Sequence, residues 1–176
     1  HGTRSAETFT MAEAVSAVVD AVDQLGAPAV LAGMSLGGYV AMATVAAHPE
    51  RVAGLVAMGS TAQPSGLLAA PFRLFGAATS FLPAQSAEIS RFLTRMALGA
   101  QVSDDMEAGG LALHSIADVV DEIAGFDALS ALVGYPGPML FANGGWDQFR
   151  IHERRFVALS PRARLRVIPV SYTHLR

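Results

Sequence analysis

Cysteine and lysine are both missing from the 176 residues, and only one tryptophan is present. Without cysteine there are no disulfides and no thiolate metal sites. All 12 basic residues are arginine, and alanine is abundant, a usage that points to a GC-rich bacterial coding sequence rather than to any property of the fold. A net charge of −3 leaves no basic stripe for nucleic acid and no polybasic patch for a membrane surface. Gly, Pro or a charge interrupts every apolar segment before it reaches bilayer-spanning length, and the first residues lack a signal-peptide layout. The expectation is a cytoplasmic protein with no nucleic-acid partner and no membrane partner. With 52% hydrophobic residues, the chain suffices for one substantial core and is short for two full domains.

The stretch around which the rest is arranged is PAVLAGMSLGGY, Pro28 to Tyr39. Ala29 to Ala32 is a short uncharged run, as expected of a strand buried on both faces of a parallel sheet. Leu36 to His48, rich in Ala and Met, reads as a helix. Between them Gly33-Met34-Ser35-Leu36-Gly37 matches G-x-S-x-G. A serine pinched between strand and helix sits on a sharp turn, and glycines just before and after relieve the backbone crowding. The turn lifts the hydroxyl clear of the sheet, and the Leu36 N–H points where an oxyanion would form.

Upstream, Thr10 to Gly26 is a helix: Thr10 and Glu13 fit a capping box, and Gly26 with Pro28 closes it. Met11, Val15, Val18, Val22 and Leu25 share its apolar face. Downstream, Val52 to Met58 is a second buried strand ending in Gly59-Ser60-Thr61, read either as one wall of a ligand crevice or as a plain turn. This order, with His48-Pro49-Glu50-Arg51-Val52 as the entry to the second strand, resembles the nucleophile elbow of the α/β-hydrolase family.

The resemblance implies an α/β fold with a mostly parallel sheet, helices on both faces and an all-helical cap insertion. It divides the chain into core residues 1–62, a cap over 63–134, core again over 135–169, and a tail over 170–176. The cap reading agrees with Pro64, Pro71 and Pro83 punctuating helical pieces near Phe72–Phe81, Ser86–Leu98, Ser103–Ala112 and Leu113–Ala124. His114 and Met96 are cap residues that could face the cavity. A third strand, Pro138 to Asn143, precedes Gly144-Gly145-Trp146-Asp147, which resembles the family's G-x-x-D loop. Asp147 is then the acid that supports a catalytic histidine, with an N-cap before a helix Phe149–Leu159 as the bland alternative. Trp146 is read as a packing residue, and Arg164 to Pro169 as the last strand.

After that strand the family expects a P-G-x-G-H turn bearing the base, and this sequence reads Pro169-Val170-Ser171-Tyr172-Thr173-His174. By chain order only His174 of the five histidines can serve. VSYTHLR is also one reading frame of a transposase-type sequencing adapter, so the expectation is a foreign tail from Val170 and a base encoded elsewhere. His1-Gly2 and Ser5 resemble the end of the family's D-x-R-G-H-G-x-S loop, which implies early strands and a first oxyanion donor upstream of residue 1. On that expectation the chain as it stands is close to inactive and poorly soluble, because the elbow strand has a bare edge. Genomic DNA continuing in frame through codons 170–176 would refute the foreign tail.

The function implied is a serine hydrolase, esterase-like, cleaving a small or medium apolar acyl substrate through an acyl-serine intermediate. It needs no metal or organic cofactor, and its partner is the small-molecule substrate. Carbon–carbon bond hydrolysis, cofactor-free perhydrolysis and a non-catalytic binding role on the same fold are the alternatives.

Overall fold

A computed structural model describes residues 8–63, 115–147 and 150–169, together with the single positions 70, 104 and 108. The expected cap helices between Phe72 and Ala112, with Met96 and His114, lie outside the described residues, as do His1 and the tail with His174. The described elements are α1 (Met11–Leu25), β1 (Ala29–Met34), α2 (Leu36–Ala47), β2 (Val52–Met58), α3 (Ile116–Gly125), α4 (Ala128–Ala131), β3 (Met139–Gly144), α5 (Glu153–Ala158) and β4 (Ala163–Ile168). The four strands form one parallel sheet in the order β1-β2-β3-β4.

Helix α1 starts where the capping residues placed it. The Thr10 hydroxyl accepts from the Glu13 amide at 3.3 Å, and Gly26 ends the helix at φ 70°. A second acceptor comes from far along the chain: Glu122 of α3 takes the Met11 amide at 2.9 Å, placing a carboxylate at the positive end of the helix. Met11, Val15 and Val22 are buried as the periodicity implied. Leu25 is not: it is 70% exposed, because the last turn of α1 runs past the edge of the core.

Helix α2 is buried along most of its length, from Gly38 to Val45, and its Thr44 hydroxyl donates to the Val40 carbonyl at 2.9 Å, so that the buried polar atom is paired within the helix. It packs on both β1 and β2. One face of the sheet supplies buried core side chains in register: Leu55 and Ala57 of β2 beside Met139 and Phe141 of β3. Phe141 meets Phe156 of α5 with ring centroids 5.3 Å apart and planes at 55°, a tilted arrangement that aromatic pairs favour. Tyr135 closes the far end by donating its hydroxyl to the Val52 carbonyl at 2.9 Å.

Strand β1 departs from the expectation of burial on both faces. Val30 is 62% exposed and Met34 is 56% exposed, while Gly33 is buried. Along the register, Val30, Ala32 and Met34 share a face with Val56 and Met58, then Leu140 and Ala142, all at least partly open. An apolar run without alternation does not distinguish a strand covered twice from one covered once, and the described helices contribute their buried side chains to the other side.

Truncating Phe141 to Ala should cost about 3–5 kcal/mol of stability, whereas Leu25→Ala should stay within about 0.5 kcal/mol. Urea midpoints for the two variants check both halves of that contrast.

Candidate functional site

Three backbone bonds at the carboxyl edge of the sheet align the loops that carry the polar residues. The Ser35 amide donates to the Met58 carbonyl at 2.8 Å, the Gly59 amide to the Ala142 carbonyl at 3.0 Å, and the Gly145 amide to the Ile168 carbonyl at 2.7 Å. Each bond continues the parallel ladder one step past the end of a strand, so the turns after β1, β2 and β3 leave the sheet side by side. The serine turn and the aspartate turn are two strands apart, roughly 10 Å at the usual strand spacing.

Ser35 has φ 51° and ψ −119°, the one non-glycine residue with positive φ among the described residues. A serine held there carries strain of about 1–3 kcal/mol, which persists only where the surroundings impose it. The surroundings are close. A Cβ on Gly33 would collide with the Gly37 carbonyl, so strand end and first helical turn pass with no room for a side chain. The Ser35 carbonyl accepts from the amides of Gly38 at 2.9 Å and Tyr39 at 3.3 Å, starting α2 immediately.

The glycine after the serine behaves differently from the expectation. Nothing lies within 4 Å of a Cβ built on Gly37, whereas one on Gly38 would run into the Ser60 Oγ. The steric demand on the helix side therefore falls on Gly38, where α2 packs on the end of β2, and not on the glycine that completes the G-x-S-x-G pattern.

Residue Ser35 is solvent-exposed, and its side chain makes no capping bond to α2. Leu36 is the first residue of α2, so its N–H has no acceptor one turn back within the helix and lies at the positive end of the helix dipole. The arrangement can present a hydroxyl to a small molecule with one backbone donor beside it.

Asp147 follows β3 and is buried; its amide donates to the Gly144 carbonyl at 3.0 Å. Its charge reaches two neighbours. The Tyr39 phenol of α2 donates to the Ala62 carbonyl at 2.7 Å, and its ionisation is suppressed chiefly by burial and further by Asp147. Arg150 is the other, its guanidinium held charged mainly by a hydrogen bond to Glu153. Trp146, read as a packing residue, is instead 86% exposed in the turn after β3.

The loop after β2 does not offer its hydroxyls to a crevice. Ser60 and Thr61 are fully buried: Ser60 lies under Gly38 with its Oγ unpaired among the described residues, and the Thr61 Oγ1 accepts from Asn143 Nδ2 at 2.8 Å. The loop is tied instead to the segment after Asp147. His152 donates its amide to the Thr61 carbonyl at 3.1 Å and accepts the Gln63 amide on Nδ1 at 2.9 Å, while Gln63 bridges to the Phe126 carbonyl and the Ala128 amide. These bonds commit His152 to the neighbouring loop, so the helix expected over Phe149–Leu159 begins at Glu153; Phe149 itself lies outside the described residues.

Sequence reasoning missed this polar group: Asn143, Arg150, His152, Glu153 and Gln63. Only the i, i+3 spacing of Arg150 and Glu153 could have signalled any of it. Among the described residues no group of three or more His, Asp or Glu could hold a metal, and no helix is long and apolar enough to cross a membrane. Two surface clefts of about 390 and 300 Å³ lie at the amino ends of the strands, near Gly134 and near Gly26, away from Ser35.

Residues 1–175 match the alpha/beta hydrolase family. Solved structures give the same fold at low identity. An esterase from Thermogutta terrifontis superposes with a TM-score of 0.72 at 21% identity, covering 94% of this chain and 65% of its own. The enol-lactonase from Burkholderia xenovorans LB400 gives 0.70 at 18%, covering 95% and 68%. A hydrolase from Pseudomonas aeruginosa PA01 gives 0.73 at 24%, covering 93% and 65%. The chain thus spans about two thirds of the length of these structures. No curated protein matches it.

Two outcomes test the local geometry. Gly38→Ala should lose about 1–3 kcal/mol through the clash with Ser60, and Gly37→Ala should be neutral or gain up to about 1 kcal/mol from helix propensity, as read by chemical denaturation. Burial, and secondarily Arg155, holds His152 below the ordinary imidazole value of 6.5. The unfolded chain therefore takes up that proton at a higher pH than the native one. The His152 contribution to stability is intact above 6.5 and is lost as pH falls through the native value. Replacing His152 with Gln should flatten the decline of thermal midpoint on the acid side of 6.5.

Proposed function

Because the chain belongs to the alpha/beta hydrolase family, we propose that it is a serine hydrolase in which Ser35 is the nucleophile, Asp147 the acid and the Leu36 N–H an oxyanion donor. The observation that carries the reading is the backbone of Ser35: a strained, exposed serine between a buried ladder and the start of a helix has no folding role that a glycine would not fill better.

The chemistry follows from what a serine hydroxyl needs. Its own proton must leave as it attacks, so a histidine takes it while Ser35 Oγ bonds to the substrate carbonyl carbon. The carbonyl oxygen becomes an oxyanion beside the Leu36 N–H, and the positive end of α2 stabilises it as charge develops. Collapse expels the leaving alcohol with the proton held on the histidine, and water then repeats the sequence on the acyl-serine. Asp147, buried and negative two strands away, orients that histidine and supports its positive charge.

The substrate is a small or medium apolar ester or related acyl compound. An esterase and an enol-lactonase among the structural neighbours support a carboxylic acyl carbonyl as the reacting group. His174 is the base candidate within this sequence by chain order.

A fluorophosphonate probe with mass-spectrometric readout tests the assignment. Labelling should map to Ser35, vanish in Ser35→Ala, and slow by about 10⁴-fold in Asp147→Asn. Labelling at another serine, or an Asp147→Asn rate equal to the parent's, would refute the roles given. His174→Ala tests the base: a comparable loss assigns it to His174, and an unchanged rate excludes His174.

A further inference from the structure

Beside the Asp147 turn lies a charged pair that the mechanism above does not use. Arg150 donates from Nε and Nη2 to the two carboxylate oxygens of Glu153 at 3.1 and 2.7 Å, the two-pronged geometry in which guanidinium and carboxylate hold each other most firmly. Its remaining prong, Nη1, donates to the Gly145 carbonyl at 2.8 Å. Glu153 is buried and anchored in turn, since Asn143 Nδ2 at the end of β3 donates to its Oε2 at 3.1 Å.

The turn needs such support. It opens with Gly144 and Gly145, residues that lose the most backbone freedom on being ordered. Within it, the Asp147 carbonyl receives a long bond from the Arg150 amide, at 3.4 Å. The side-chain bond to Glu153 dominates the environment of the guanidinium, and the charge of Asp147 acts on it as well.

We infer that Arg150 and Glu153 are positioning residues for Asp147: the pair clamps the turn, and Glu153 keeps the guanidinium committed to itself so that it does not neutralise the Asp147 carboxylate. The inference rests on the reading of Asp147 as the acid behind the base. Among the described residues, charged or titratable groups nearby include Arg154 acting on Glu153, Arg155 acting on His152, and the Tyr39 phenol of α2, on which Asp147 acts.

The test compares the parent with Glu153→Gln, Arg150→Gln and the double variant, each checked for parental circular dichroism. With a short-chain p-nitrophenyl ester, each single variant should lose roughly ten- to a hundredfold in kcat with KM unchanged, the scale of a displacement of about 1 Å. The acid limb of kcat/KM should move by about half a pH unit in opposite directions. In Glu153→Gln the uncompensated guanidinium disfavours the protonated base, and the limb moves to lower pH. In Arg150→Gln the uncompensated carboxylate favours it, and the limb moves to higher pH. The double variant should return the limb to the parent position. Shifts of the same sign, or lower kcat with no shift, overturn the inference. If the parent shows no turnover, the clamp is decided separately by Trp146, the sole tryptophan and the neighbour of Asp147, while the site reading stands or falls on the labelling of Ser35. Acrylamide quenching and time-resolved anisotropy should then report a looser turn in both single variants, and unchanged values overturn the clamp.

Discussion

The 2.8 Å bond from the Ser35 amide to the Met58 carbonyl fixes where β1 stops and α2 begins. One residue earlier, the chain would still be extended; one residue later, it is already helical. Because the bond belongs to the β1–β2 ladder, the turn inherits its position from the sheet, and Gly33 lets the first turn of α2 pass directly over the strand end. Helix α2 is then driven across the middle of the core, where nearly every side chain from Gly38 to Val45 is covered. Displacing the turn would displace this deeply buried helix, so local strain at one residue is held by burial spread over eight.

A second layer of organisation is polar. Asn143, Thr61, Glu153, Arg150, His152 and Gln63 join the ends of β2 and β3 to the segment after Asp147 through side-chain bonds of 2.7 to 3.1 Å. Such groups are expensive to bury unless paired, and pairing them needs the loops in one arrangement. The carboxyl edge of the sheet is thereby stiffened by chemistry that the hydrophobic pattern does not encode, at the place where a loop would otherwise be most mobile.

The division between legible and illegible features follows the range of the forces involved. Strand and helix spans came from local patterning, and β2, β3 and β4 fall within a residue or so of their expected limits. The turn at Ser35 came from a local pattern, of which Gly33 carries the steric demand on the strand side, while the demand on Gly38 is set by the distant Ser60. Where the sequence misled, a distant partner decided: Gln63 and Thr61 hold His152 out of α5, the described helices gather on one side of β1, and Trp146 stands exposed. The polar clamp was illegible for the same reason, since Asn143 and Glu153 meet only because β3 and α5 are neighbours in space.

The positive φ at position 35 sets stability against chemistry. A glycine would relax that backbone, and in the same change it would remove the hydroxyl of an exposed residue, so no one side chain serves both ends at this position.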